Sequence, residues 1–157
     1  MVDSKRTEEQ FRVLFEAAPN GVMAVDAAGC IVLLNAQVEK MFGYSREELI
    51  GRPVEVLVPV RFRQGHADLR KSFAAAPQMR PMGTGRELWG VRKDGSEFRV
   101  EVGLNSTATN MGDVVIATIV DITERKRAAE EESLLERARQ EGRRLAELLA
   151  HLRRRRS

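Results

Sequence analysis

The spacing of apolar positions changes from one stretch of the chain to the next, and each change marks an element. Phe11, Leu14, Phe15 and Ala18 recur on one helical face. Thr7 and Gln10 stand at capping-box spacing before them and Pro19 stops the run, which predicts an amphipathic N-terminal helix over residues 1–18. GVMAVDAAGCIVLLN follows as two short apolar runs split by Asp26–Gly29, a tight-turn composition that predicts a hairpin ending at Asn35. In AQVEKMFGYSREELIG, Val38, Met41 and Phe42 share a face, Gly43 closes that turn of helix, and Ser45 with Glu48 forms a capping box for a second. Val54, Leu57 and Val58, then Phe62, Leu69 and Phe73 with basic residues between, predict a helix over about 60–75, weakened by Gly65.

AAAPQMRPMGTG reads as a loop from its proline and glycine content. RELWGVRKDGSEFRVEVGLN reads as two strands joined at Asp94-Gly95, a dipeptide favoured in two-residue hairpin turns. Phe98, Val100, Val102 and Leu104 alternate with Glu97, Arg99, Glu101 and Gly103, so one strand face is buried and the other wet. Residues 107–113 are polar and turn-like, and VVIATIV is a last strand ending at Asp121.

From Ile122 the composition shifts to Glu, Arg, Ala and Leu without proline. Ala128, Glu131, Leu135, Ala138, Gly142, Leu145, Leu149 and Leu152 recur at alternating steps of three and four, a heptad seam. So narrow a stripe is marginal as a lone helix in water, which points to pairing with a second copy. The organisation expected is therefore a helix over 1–18, a domain over 19–121 and a coiled-coil helix over 122–157.

Composition narrows the function classes. The 157 residues carry 26 Lys and Arg against 23 Asp and Glu, a net charge of +3, with Arg153–Arg156 as a basic end. That end reads as a solvated tail, so nucleic acid is not an expected partner. No apolar run reaches the ~20 residues that span a bilayer, and the first residues lack a signal-peptide apolar region, so a cytoplasmic location and no membrane partner are expected. One cysteine, Cys30, excludes an internal disulfide and a multi-cysteine metal site. There is no phosphate-binding glycine loop and no assembled nucleophile, base and orienter, so the chain is expected to be no enzyme. Cys30 reads as a half-buried structural thiol, Trp89 as packing, and His151 as solvated.

LLNA (33–36), FGYSREELIG (42–51), RKDGSEF (92–98) and Asp121-Ile122-Thr123 before the terminal helix together resemble a PAS sensor domain over roughly Glu9–Thr123. The resemblance implies an α+β fold, a five-stranded antiparallel sheet cupped by short helices around a pocket. It also implies a role as input module of a two-component or similar signalling protein, with an output domain such as a histidine kinase outside this chain. Asp121, Ile122 and Thr123 would relay the signal. The N-terminal helix and the coiled coil would form the homodimer.

A narrower resemblance is to the haem-containing oxygen sensors of the FixL type. It places Pro59 on their proline, His66 on the ligand of haem b iron, Arg86 on the oxygen-contacting arginine, and Val100, Val102 and Leu104 over the haem face. A neutral imidazole suits axial ligation, and a dry apolar wall limits oxidation of ferrous haem. The chain departs from that pattern at Ser72, where those sensors keep a propionate-pairing arginine although Arg70 and Lys71 are near, and at Arg80, where they keep a histidine and where an arginine can still hold a haem carboxylate. The alternatives are a pocket for another small ligand and a structural PAS dimerisation module with no cofactor.

Overall fold

The fold is described from a computed structural model, which covers residues 2–75, 80–81, 87–110 and 112–156. It divides into two compact units, Met1–Ile122 and Thr123–Ser157. The first contains α1 (Val2–Ala17), β1 (Gly21–Val25), β2 (Ile31–Leu34), α2 (Ala36–Phe42), α3 (Arg46–Leu49), the 3-10 turns η1 (Val54–Leu57) and η2 (Val60–Phe62), α4 (Arg63–Ala75), β3 (Arg80–Pro81), β4 (Leu88–Val91), β5 (Glu97–Thr109) and β6 (Gly112–Asp121). The second is one helix, α5 (Thr123–Arg154).

The strands form one antiparallel sheet in the order β2-β1-β6-β5, with the last position shared: β4 pairs the first half of β5 and the two-residue β3 pairs Leu104 and Gly103. This is the expected five-position sheet with its outer position split. Met23, Val25, Ile31, Leu34, Phe98, Val100, Ala117 and Ile119 cover its inner face and pack with Val38, Met41, Phe42, Leu49 and Leu57 from the helices. Phe42 meets Phe98 edge to face at 5.1 Å between centroids, an arrangement favoured by the ring quadrupoles.

Polar contacts seat the helices on this core. Glu16 of α1 accepts from the Ala36 amide at 2.8 Å and pairs with Arg46, which also approaches Glu39. Asn35 caps α2 through Val38 N–H and Gly43 ends that helix in the left-handed region. The open carbonyls of the α2 end are met by the β4–β5 turn: Arg92 Nε donates to Met41 O at 3.1 Å and Lys93 N–H to Phe42 O at 2.9 Å. The Ser45–Glu48 capping box is present.

Three expectations change. Thr7 does not cap α1, which begins five residues earlier; its hydroxyl donates to Asp3 O inside the helix. The β4–β5 turn is not a two-residue turn. Gly95 N–H donates to Arg92 O and Arg92 N–H to Ser96 O, so the turn spans Lys93–Gly95, with Gly95 at φ 87°. The turn-like stretch 107–113 is narrower than expected, because Thr107, Ala108 and Thr109 pair Val114, Asp113 and Gly112 as strand residues and Asn110 is in a turn. Their polarity reflects a hairpin arm extending past the core, where both faces are wet.

Helix α5 has 32 residues and is therefore about 48 Å long. It buries none of its side chains; Leu134, Leu135, Leu145, Leu148, Leu149 and Leu152 are all exposed. No helix among the described residues is long and apolar enough to cross a membrane.

Two substitutions test this architecture. Asn35→Ala removes a helix cap and the partner of the half-buried Val22 amide, so denaturant unfolding should show a loss on the order of 2 kcal/mol. Gly142 has open space around it. Gly142→Ala should strengthen α5 by about 1 kcal/mol, read as higher helicity and a higher melting temperature.

Candidate ligand pocket and signal junction

Helix α4 turns an unusual face inward. Arg63, His66, Ala67, Arg70 and Phe73 recur at steps of three and four and are the shielded positions, whereas Phe62 and Leu69 are 44% and 50% exposed. Of Phe62, Leu69 and Phe73, only Phe73 is buried, at 3% exposure. The helix is held to η1 by polar contacts instead. Arg70 Nε donates to Glu55 Oε1 at 2.9 Å, and His66 Nδ1 stands 3.3 Å from the same oxygen. Arg63 Nε donates to Val58 O at 2.9 Å. Burial pushes the Glu55 carboxyl up, but the hydrogen bonds from Arg70, its own amide and His66, with the Arg70 charge, hold it below the usual carboxylate range. The Arg70 guanidinium also lies over the β1–β2 turn at Gly29, where a Cβ would stand 2.3 Å from Arg70 Cζ. A side chain at residue 29 would thus displace Arg70.

The apolar surface expected to line the pocket is the inner face of β5. Val100 is buried, while Val102 and Leu104 are half-buried and pack against the core. Across the ladder, Val100, Val102 and Leu104 oppose Asp121, Ile119 and Ala117 of β6. The wall is closed at Phe98 and Val100 and more open towards Leu104.

The same ladder brings Val100 to the junction with α5. Asp121 Oδ2 lies 3.5 Å from an Arg92 amino group, and Arg92 stacks over the Phe98 ring at 4.0 Å from its centroid. Ile122 is buried and its N–H donates to Arg99 O at 3.1 Å. Thr123 opens α5.

The expected site residues thus separate into groups. Val100, Val102 and Leu104 share one face, Asp121 and Ile122 sit beside it, and His66 faces inward from α4. Arg80 contributes its backbone to β3; its side chain and all of Arg86 lie outside the described residues. Glu55 and Arg92 were missed, and Arg70 was noted only as standing near Ser72. The only sequence signal for Arg70 is its i, i+4 spacing from His66, and nothing local to Glu55 marks it as buried.

Among the described residues no three His, Cys, Asp or Glu side chains gather as metal ligands. A single axial ligand is a different requirement, and here the donor set fits. An ionised carboxylate at Nδ1 accepts the proton there and leaves the Nε2 lone pair for a metal.

Comparison with known proteins identifies the arrangement. Residues 9–122 match the PAS fold family. The chain is 26% identical to the sensor protein FixL of Bradyrhizobium diazoefficiens over 74% of its own length and 23% of that protein's. It is 28% identical to the oxygen sensor protein DosP of Escherichia coli over 56% of its length and 11% of that protein's. The chain therefore spans under a quarter of the length of either relative. A PAS domain of an HTR-like protein from Haloarcula marismortui superposes with a TM-score of 0.66 at 24% identity, covering 76% of this chain and 95% of that one. Sheet order, helical cup and matched residues agree, and the chain belongs to the PAS family of sensory signalling domains.

Proposed function

We propose that this chain is the input module of a signal-transduction protein, that its cup takes haem b with His66 as the axial iron ligand, and that it relays occupancy to an output domain such as a histidine kinase. The observation that carries the reading is His66 itself, turned inward on α4 with its Nδ1 on Glu55. Val100, Val102 and Leu104 supply the apolar wall, and Arg80 and Arg86 are assigned to a haem carboxylate and to the bound gas from the family pattern. Haem would supply a ferrous iron that takes a diatomic gas reversibly. The residues of this chain hold the imidazole, exclude water along β5 and pass a displacement of the wall to Asp121, Ile122 and Thr123. Movement at Arg80 and Pro81 would reach β5 through the β3 pairing at Leu104 and Gly103.

The relay proposed is dimeric. α5 carries a seam from Ala128 to Leu152 with nothing buried against it, and α1 leaves Phe11 and Leu14 exposed at 61% and 71%. Two copies joined along these helices would cover both stripes. The surrounding compartment is the cytoplasm in this reading.

A second reading, a structural PAS dimerisation module without cofactor, is favoured by one observation. The inner face at Phe98, Val100, Ala117 and Ile119 is already buried under the chain's own side chains.

Absorption spectroscopy separates the two. Haem-reconstituted protein should give a Soret band that shifts with oxygen or carbon monoxide and is lost or altered in His66→Ala; no band, or one indifferent to that substitution, favours the cofactor-free module. Sedimentation should find a dimer, and a chain that stays monomeric at high micromolar concentration refutes pairing.

A further inference from the structure

We infer that Glu55 is the positioning residue of this site: it fixes His66 in the Nδ1–H tautomer and so presents the Nε2 lone pair to the ligand before any ligand arrives. The inference deepens the reading of His66 as an iron ligand and rests on it for its functional meaning, but the tautomer is a property of the chain alone.

The geometry has three parts. His66 Nδ1 stands 3.3 Å from Glu55 Oε1, and both side chains are largely shielded, at 16% and 13% exposure. Arg70 Nε, which can only donate, points its N–H at the same oxygen at 2.9 Å, so Oε1 is an acceptor there and offers no proton to His66. Two acceptors facing each other at that separation repel, so the proton of a neutral imidazole belongs on Nδ1. Free histidine prefers the other tautomer, and the carboxylate reverses that preference. The position of Glu55 is itself fixed, since η1 is anchored by the Val54 amide on Gly29 O at 2.9 Å and by the Val58 amide on Glu55 O at 3.0 Å.

Arg70 sets how strongly Glu55 acts. A carboxylate that accepted from His66 alone would draw the Nδ1 proton towards itself and make the imidazole a stronger donor at Nε2. By sharing Oε1, Arg70 moderates this. The pair thus tunes basicity in opposite directions: removing Glu55 weakens the donor and removing Arg70 strengthens it.

Nitrogen-15 NMR on the cofactor-free full chain tests the tautomer directly. The chain has only two histidines, so His151→Gln assigns both. At alkaline pH, His66 should carry its proton on Nδ1 in the wild type and on Nε2 in Glu55→Leu; if that variant does not fold, Glu55→Ala takes its place and should give the same shift. Nε2–H in the wild type, or a tautomer indifferent to residue 55, overturns the inference. Resonance Raman of the ferrous haem-loaded protein is the second readout, with the iron–histidine stretch expected to fall in Glu55→Gln and rise in Arg70→Met. A stretch unmoved by either substitution overturns the tuning role. Failure of haem to bind while the Nδ1–H tautomer is present refutes the iron-ligand reading and leaves the assignment to Glu55 standing.

Discussion

The side chain of Asn35, wholly buried, meets four backbone groups from three parts of the fold. Its Oδ1 accepts from Val22 N–H at 3.0 Å and Val38 N–H at 3.2 Å, and its Nδ2 donates to Phe15 O at 3.1 Å and Asn20 O at 3.0 Å. An amide has two donors and an oxygen acceptor, and every one is used. Aspartate would lack the donors, and leucine would meet none of the four groups. The end of α1, the start of β1 and the start of α2 are thereby held at one point. Glu16, one residue beyond Phe15, then reaches Ala36 and Arg46, so the orientation of α1 follows from the Asn35 anchor.

That anchor was not legible in the sequence, where Asn35 reads only as a strand terminator. Regular features were readable because they depend on local spacing. The alternation of Phe98, Val100 and Val102 gave β5, the Ser45–Glu48 pair gave the start of α3, and the composition break at Ile122 gave α5. Features set by distant partners were not. Asn35 and Asn20 meet across fifteen residues, and Glu55 and Arg70 across another fifteen. Neither separation has a periodicity to reveal it. Helix α4 shows the same limit from the other side, because its helical spacing was clear while its inward face was set by Glu55 rather than by Phe62 and Leu69.

A helix fastened by polar contacts differs energetically from one fastened by apolar packing. Taking Glu55 and Arg70 largely out of water costs solvation that their attraction only partly offsets, so the net hold on α4 is smaller than the geometry suggests. Burial of Phe73 adds about 2 kcal/mol, at the far end of the helix from η2. The Arg61–Glu97 pair, exposed on the Arg61 side, contributes little. The element carrying His66 is thus fastened largely by polar contacts, suited in the proposed reading to respond to an occupant.

How a response at the wall would leave the domain is a question of which contacts are shared. Phe98 is one such contact: it packs on Phe42 in the core and lies under Arg92, which bonds Met41 O and pairs with Asp121. Val100 is another, since it faces Asp121 across the β5–β6 ladder. A displacement of either side chain changes the surroundings of Asp121, two residues before α5 begins. Ile122 resists that change, being buried and bonded to Arg99 O. Coupling therefore requires β5 and β6 to move together as a ladder, carrying Ile122 with them, rather than Asp121 to swing alone. A rigid shift of the paired strands also preserves their hydrogen bonds, which makes it the cheaper of the two motions.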